Sequence, residues 1–343
     1  MNISRQQLQQ AVAKQVLSQT QADDLWQFLS QHNSNTPKFD FTHILYYLGG
    51  LIAIGAMSVF MTLGWDRFGG WGIVALCLLY AMVGLWLTHH FAAKQLRIPA
   101  GICATFVLTL VPLAVYGLQQ GLGMWPDDDL AYRAYHTRIE WHWLYMELAT
   151  LAAAAVMLHR YRYPFLVMPV ALTLWYLSMD VVLWLNGGDY GHELRQLTSL
   201  IFGLAMTALA FWVDVRNRSG KDFAFWLYLF GVLTFWGGLS LMDSGSEWGK
   251  LMYGMINVLL IGIGALLSRR VFVVFGALGL FGYLSYLAYD VFQDSWLFPI
   301  SLTLLGAAII FAGVWWQKNE RRIGLALRQY APAGLRDFLA KKG

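Results

Sequence analysis

The chain has 343 residues, of which 58% are hydrophobic and 13% are charged, and its formal net charge is +4. Soluble domains carry roughly 25% charged residues, so this composition excludes an ordinary water-soluble globular protein and indicates a membrane protein. The Lys and Arg residues lie in short segments between apolar runs, so we expect the lipid bilayer as a partner and no nucleic acid.

Residues 1–40 are predicted to form a short cytoplasmic helical hairpin followed by a linker. Ser18 and Gln21 have the spacing of a capping box, in which each side chain satisfies a backbone amide at the start of a helix. Ser4 and Gln7 have the same spacing at the start of the first predicted helix. We expect this hairpin to dock either on the membrane-facing loops or on a cytoplasmic protein partner.

Ten apolar runs follow the hairpin, and each has about the 20 residues needed to cross roughly 30 Å of hydrocarbon. Backbone amides cannot remain unpaired in lipid, so these runs are predicted to be helices. The predicted fold class is all-α, a polytopic transmembrane helical bundle within residues 41–316. The predicted spans are residues 42–63, 71–89, 99–118, 141–158, 164–185, 196–214, 223–242, 249–268, 271–289 and 297–316.

The distribution of positive charge predicts the orientation of the bundle. All but five of the 24 Lys and Arg residues lie in the N-terminal segment, in alternate loops or in the C-terminal tail. Cytoplasmic loops carry this excess in membrane proteins, so both termini are predicted to be cytoplasmic. Residues 317–343 combine basic and apolar residues, which is typical of an amphipathic tail on anionic headgroups. A solvated basic tail is the alternative.

Two segments resemble a bacterial family of predicted membrane proteins of unknown function, the one numbered twenty-one fifty-seven. They are the hairpin sequence Ser18-Gln19-Thr20-Gln21-Ala22-Asp23-Asp24-Leu25 and the Gly-rich start of the first span, Leu48-Gly49-Gly50-Leu51-Ile52-Ala53-Ile54-Gly55. Gly188-Asp189-Tyr190 is similar to a motif of a related family. The resemblance implies a multi-pass protein of the bacterial inner membrane with a cytoplasmic N-terminal segment. It implies no catalytic residues.

Two acidic residues lie inside predicted spans, Glu147 in the fourth and Asp180 in the fifth. A charge at mid-bilayer costs on the order of 2.5–3.5 kcal/mol, so such residues normally face the bundle interior. Both lie roughly 9 Å below the outer ends of antiparallel neighbours at 1.5 Å per residue, and Tyr176 precedes Asp180 by one helical turn. These residues predict an outward-facing polar pocket for a proton or a cation. The alternative is that they only fix helix packing.

The outer loop after the fifth predicted span brings further polar residues near this pocket. Asp189, His192 and Glu193 follow a Gly-rich turn and are predicted to line its rim. In an enzyme they could supply an acid, a base or a metal ligand, but no metal-binding spacing such as HExxH is present. A solvated turn is the alternative, and we predict neither a metal site nor a cofactor.

Three functions remain open on this basis. The leading interpretation is transport or translocation of a small or lipid-linked solute through the polar pocket, with protons coupled through the two carboxylates. A second is a non-catalytic scaffold or accessory subunit that holds a cytoplasmic partner with the hairpin. A third is a membrane-embedded enzyme acting on an envelope lipid or sugar. The chain has no nucleotide-binding or nucleophile-elbow motif, so a nucleotide-driven role would require a separate subunit. The catalytic residues of an enzyme would be unknown.

Overall fold

The structure, a computed structural model, describes residues 5–13, 15–32, 41–125, 142–185, 192–217, 221–242 and 244–287, with scattered positions between 299 and 314. All elements in these ranges are helices, as the apolar runs predict. The predicted tail, residues 317–343, lies outside the described residues, and so does most of the predicted span 297–316.

The N-terminal hairpin consists of α1 (Arg5–Ala13) and α2 (Gln19–His32), which contact each other. Leu8 and Ala22 are buried between them. The capping box before α2 is confirmed, because the Gln21 amide donates to Ser18 Oγ at 3.2 Å and the Ser18 amide donates to Gln21 Oε1 at 3.0 Å. The corresponding cap predicted at Ser4 lies outside the described residues.

The next element, α3 (Phe41–Ala93), is a 53-residue helical run interrupted at Gly69. The sequence predicts two spans here with a turn over residues 64–70. In the structure the helix continues through most of that turn, and the interruption is one glycine with φ 61° and ψ 173°. This backbone conformation is accessible essentially only to glycine, so one residue replaces the predicted turn.

The chain reverses direction at Gly69. Gly50 lies against Ile102 and Gly84 lies against Val107, although these two glycines are on opposite sides of the break. Gly70, beside the break, instead approaches the backbone of Gly121. The two arms of α3 therefore run antiparallel and pack on the same neighbouring helices.

Those neighbours are α4 (Arg97–Thr109) and α5 (Val111–Gly121), which together correspond to the third predicted span. The break between them falls at Leu110, beside Pro112, which cannot donate a backbone hydrogen bond inside a helix. The remaining helices are α6 (His142–Tyr161), α7 (Val167–Leu185), α8 (His192–Arg216), α9 (Phe225–Leu241), α10 (Glu247–Leu267) and α11 (Arg270–Tyr286). A short 3-10 helix, Pro164–Leu166, precedes α7.

In the described part of the chain, four helices are long and apolar enough to cross a membrane by length and composition: Phe68–Ala93, Arg97–Gly121, Glu193–Arg216 and Glu247–Leu267. Three further apolar helices are shorter, Pro164–Asp180, Phe225–Leu241 and Arg270–Tyr286. The prediction counted ten spans and treated α6 as the fourth. Neither set includes α6, because His142, Glu147 and His159 lower its hydropathy.

Close helix packing relies on glycines that leave no room for a side chain. A Cβ added at Gly203 of α8 would lie 2.3 Å from the backbone nitrogen of Phe235 in α9. Between α10 and α11, a Cβ at Gly279 would lie 2.0 Å from Asn257 Oδ1. Small residues at such contacts let helix backbones approach within van der Waals distance.

Helix α6 lies at the centre of the first half of the bundle. Its Trp143 and Met146 pack in one apolar cluster with Ile73 of α3. Its Ala154 belongs to another cluster with Leu166, in the 3-10 helix that precedes α7. One side of α6 is therefore enclosed along its length, and a polar residue on that side is removed from solvent.

Candidate functional site

Glu147 lies on the enclosed side of α6 and is only 2% exposed. Trp143, Thr150 and Ala154 share this side at helical spacing and are also buried. Thr150 satisfies its own hydroxyl by donating to the Met146 carbonyl at 2.6 Å. Glu147 is thus the one acidic residue on this side of α6. The other residues named here are apolar or, like Thr150, make a hydrogen bond within the helix.

Helix α7 contributes Asp180 and Tyr176, which lie one turn apart. Helices α6 and α7 are in contact. Glu147 interacts electrostatically with the Asp180 carboxyl and with Tyr176, so the three groups share one site between the helices. Asp180 and Tyr176 are both partly buried. Glu147, Asp180 and Tyr176, which the sequence predicts to lie in one pocket, are therefore close to one another in the structure.

One oxygen of this site has no hydrogen-bond partner. Glu147 Oε2 is buried, and none of the described residues donates to it. An isolated buried carboxylate carries a large desolvation cost unless it is paired, protonated or bound to a cation. A group in this state is suited to bind a proton or a small cation.

Of the three predicted rim residues, only Glu193 has a side chain that the structure describes. Asp189 lies outside the described residues. His192 begins α8, and Glu193 in the first turn of α8 is exposed to solvent. In the described part of the chain, no group of three His, Cys, Asp or Glu side chains is placed to hold a metal ion.

The structure contains a cavity, but at a different place from the carboxylates. The cavity has a volume of about 430 Å³, and Leu158 of α6 is one of the residues that line it. Leu158 follows Glu147 by 11 residues, which corresponds to roughly 16 Å along a helix. Glu147, Tyr176 and Asp180 are not among the residues that line this cavity.

Asn257 supports the packing alternative at a different polar residue. It is fully buried in α10, and its amide donates to the Tyr253 carbonyl at 2.8 Å. Gly279 of α11 lies directly against its side chain. These contacts give Asn257 a role in α10–α11 packing, although its Oδ1, like Glu147 Oε2, is buried without a hydrogen-bond partner among the described residues.

A charged network, whose basic member Arg269 served in the sequence only as a marker of orientation, joins the α8–α9 connection to the α10–α11 turn. Arg269, between α10 and α11, pairs with Asp214 of α8 at 2.6 Å and with Asp222 before α9. Its guanidinium also lies 5.2 Å from the Tyr228 ring centroid. Burial opposes the charge of Arg269, but hydrogen bonds with both aspartates outweigh it and raise the pKa of the guanidinium. The signal for this network in the sequence is the presence of opposite charges, Asp214, Asp222 and Arg269, at the ends of predicted spans.

A comparison of the chain with protein-family models, with curated proteins and with solved structures finds no match.

Proposed function

We propose that this chain is a multi-pass protein of the bacterial inner membrane that transports or translocates a small or lipid-linked solute. Glu147, Asp180 and Tyr176 would form its proton-binding site. The observation that carries the proposal is the Glu147 carboxyl, which is 2% exposed, interacts with a second carboxyl and leaves Oε2 without a donor. Ionisable groups retained inside a membrane commonly mark ion pathways and proton relays.

The proposed domain organisation covers the whole chain. A hairpin and linker occupy residues 1–40, a bundle of ten transmembrane helices occupies residues 41–316, and a basic tail occupies residues 317–343. Both termini are proposed to lie in the cytoplasm. The segregation of basic residues into alternate connections supports it. We also propose that the chain belongs to the family of unknown function numbered twenty-one fifty-seven, which its N-terminal segments resemble. Asp189, His192 and Glu193 would line the outer entrance.

The mechanism follows from the proximity of two carboxyls. Two neighbouring carboxylates repel each other, and one proton or one cation between them relieves the repulsion. A solute whose binding changes the distance between α6 and α7 would therefore change the proton affinity of the pair. Such a link couples proton release to solute movement through reciprocal binding energies.

Proton binding is tested on the purified protein by infrared difference spectroscopy during a pH titration. We expect a carboxylic-acid carbonyl band that disappears in Glu147→Gln and in Asp180→Asn. The matched control is Asp24→Asn in α2, which removes an exposed carboxylate and should leave the band unchanged. A spectrum that is identical in the parent and in the Glu147→Gln variant would contradict the proposal.

A second candidate function, that of a scaffold or accessory subunit, is favoured by the hairpin. Helices α1 and α2 bury Leu8 and Ala22 against each other and leave Val16 exposed. A cytoplasmic protein could bind this hairpin. Under this alternative, deletion of residues 1–38 would abolish the cellular function while Asp180→Asn preserved it, and the transport proposal expects the opposite for Asp180→Asn.

A further inference from the structure

The cavity of about 430 Å³ is a groove between the end of α6, the start of α7, the second half of α8 and the start of α9. Its walls are aliphatic and aromatic, and include Leu158, Val170, Leu174, Leu209 and Val213. Sites that bind small molecules usually have volumes of about 300–1,000 Å³, so the groove is large enough for a ligand. Its apolar walls suit a hydrocarbon chain.

One charged residue, Arg162, is among the described residues that line this groove. It follows α6 with a backbone φ of 50° and is exposed to solvent, so the groove has an aqueous mouth at this end. An otherwise apolar groove with a single guanidinium at its mouth is amphipathic. It matches a ligand with an apolar body and an anionic end.

Two further cations from separate connections lie near Arg162. Lys221 Nζ donates to the Arg162 carbonyl at 3.1 Å. Burial, and then the positive charges of Arg97 and Arg162, lower the pKa of Lys221. Three residues from the start of α4, the end of α6 and the start of α9 thus concentrate positive charge at one point.

Asp222 and Asp214, the acids closest in sequence to Lys221, are both engaged by Arg269 in the network described above. Arg162 and Lys221 therefore give the mouth of the groove a positive charge that is complementary to an anion.

We propose that this groove binds an anionic phospholipid, with an acyl chain against the apolar walls and the phosphate at Arg162 and Lys221. Basic pockets between transmembrane helices bind anionic headgroups in this way. The basic tail at residues 317–343 and a second copy of this cationic face carry the wrong charge for the mouth. The site is independent of Glu147 and Asp180 and adds a lipid requirement to whichever function those residues serve.

The test uses the full chain, purified and delipidated in an uncharged detergent. Phosphatidylglycerol and phosphatidylcholine with identical acyl chains are titrated separately, and bound lipid is counted by native mass spectrometry. We expect phosphatidylglycerol to bind more tightly. The Arg162→Gln/Lys221→Gln double variant should weaken its binding roughly 25-fold, since each cation near an anionic lipid contributes about fivefold. Phosphatidylcholine binding should not change.

The matched control is Arg160→Gln, which removes a cation two residues away whose side chain lies over the Tyr161 ring. It should bind phosphatidylglycerol like the parent. If the double variant does not fold, Lys221→Gln alone provides a milder variant. Burial already disfavours the charged form of Lys221, so the loss of this charge should be tolerated by the fold. We expect it to weaken binding about fivefold.

Three outcomes would overturn the proposal. The first is equal binding of phosphatidylglycerol and phosphatidylcholine. The second is unchanged phosphatidylglycerol binding in the folded Lys221→Gln variant. The third is inorganic phosphate alone binding as tightly as phosphatidylglycerol and displacing it, which would show that the cations hold a free anion. Conversely, loss of phosphatidylglycerol binding in a Val213→Phe variant, which fills the groove, would support the acyl-chain position.

Discussion

Arg269 Nη2 lies 2.6 Å from Asp214 Oδ1, and this ion pair fastens the end of α8 to the turn between α10 and α11. Both side chains are nearly enclosed, with 12% and 9% of their area exposed. Asp222 completes the network from the segment before α9, but it is 40% exposed. Charge screening by solvent makes the second contact the weaker of the two.

We therefore expect Arg269→Gln to destabilise the protein by about 3 kcal/mol, because removing one partner of a buried pair leaves the other charge uncompensated. Thermal unfolding in detergent, followed by circular dichroism, measures the effect. Arg270→Gln is the matched control, since Arg270 is the exposed neighbour. In a double-mutant cycle with Asp214→Asn, a coupling energy near zero would show that the pair does not fasten the helices.

Gly279→Ala should weaken the packing of α11 on α10. The added Cβ would lie 2.0 Å from Asn257 Oδ1, so either the fully buried amide or the helix must move. Overpacking of this kind costs about 1–3 kcal/mol.

The control for Gly279→Ala is Gly282→Ala on the same helix, where an added Cβ meets nothing within 4 Å. That change should be neutral or stabilising, because alanine favours a helix over glycine by about 1 kcal/mol. Equal unfolding temperatures for the two variants would contradict the proposed contact.

Gly69→Ala tests the reversal within α3. The position has open space around it, so any effect comes from the backbone, whose φ of +61° strains an L-residue. We expect a loss of about 1–3 kcal/mol in stability. Gly55→Ala in the same helical run also meets open space but has no positive φ, and it should not destabilise the chain. A tolerated Gly69→Ala would mean that the reversal does not require this conformation.

Labelling of single cysteines in intact cells tests the orientation of the bundle. Cysteines introduced at Lys94 and at Glu193, in a background without Cys77 and Cys103, lie in exposed segments. The orientation proposed from the basic loops predicts that a membrane-impermeant reagent labels residue 193 and not residue 94. Labelling of both positions from the same side would contradict that orientation.

Several helix boundaries could be predicted closely because apolar run length and charged ends are local properties. The predicted segments 223–242 and 249–268 correspond to Phe225–Leu241 and Glu247–Leu267. The proximity of Glu147 and Asp180 was also predictable, since equal depth in antiparallel neighbours follows from counting residues. The reversal at Gly69 falls within the predicted turn at residues 64–70, but its reduction to a single glycine was not predictable, because hydropathy does not report backbone dihedral angles.

The amino-acid sequence by itself determined that this protein is helical and apolar and that it keeps acids inside two helices, because composition and periodicity depend only on the order of residues. The tertiary structure decided which polar groups meet. It left Glu147 Oε2 without a donor, joined Arg269 to two aspartates and assembled an apolar groove beneath three cations from separate connections. Residues such as Arg97, Arg162 and Lys221 are far apart along the chain, so only helix packing brings their charges together.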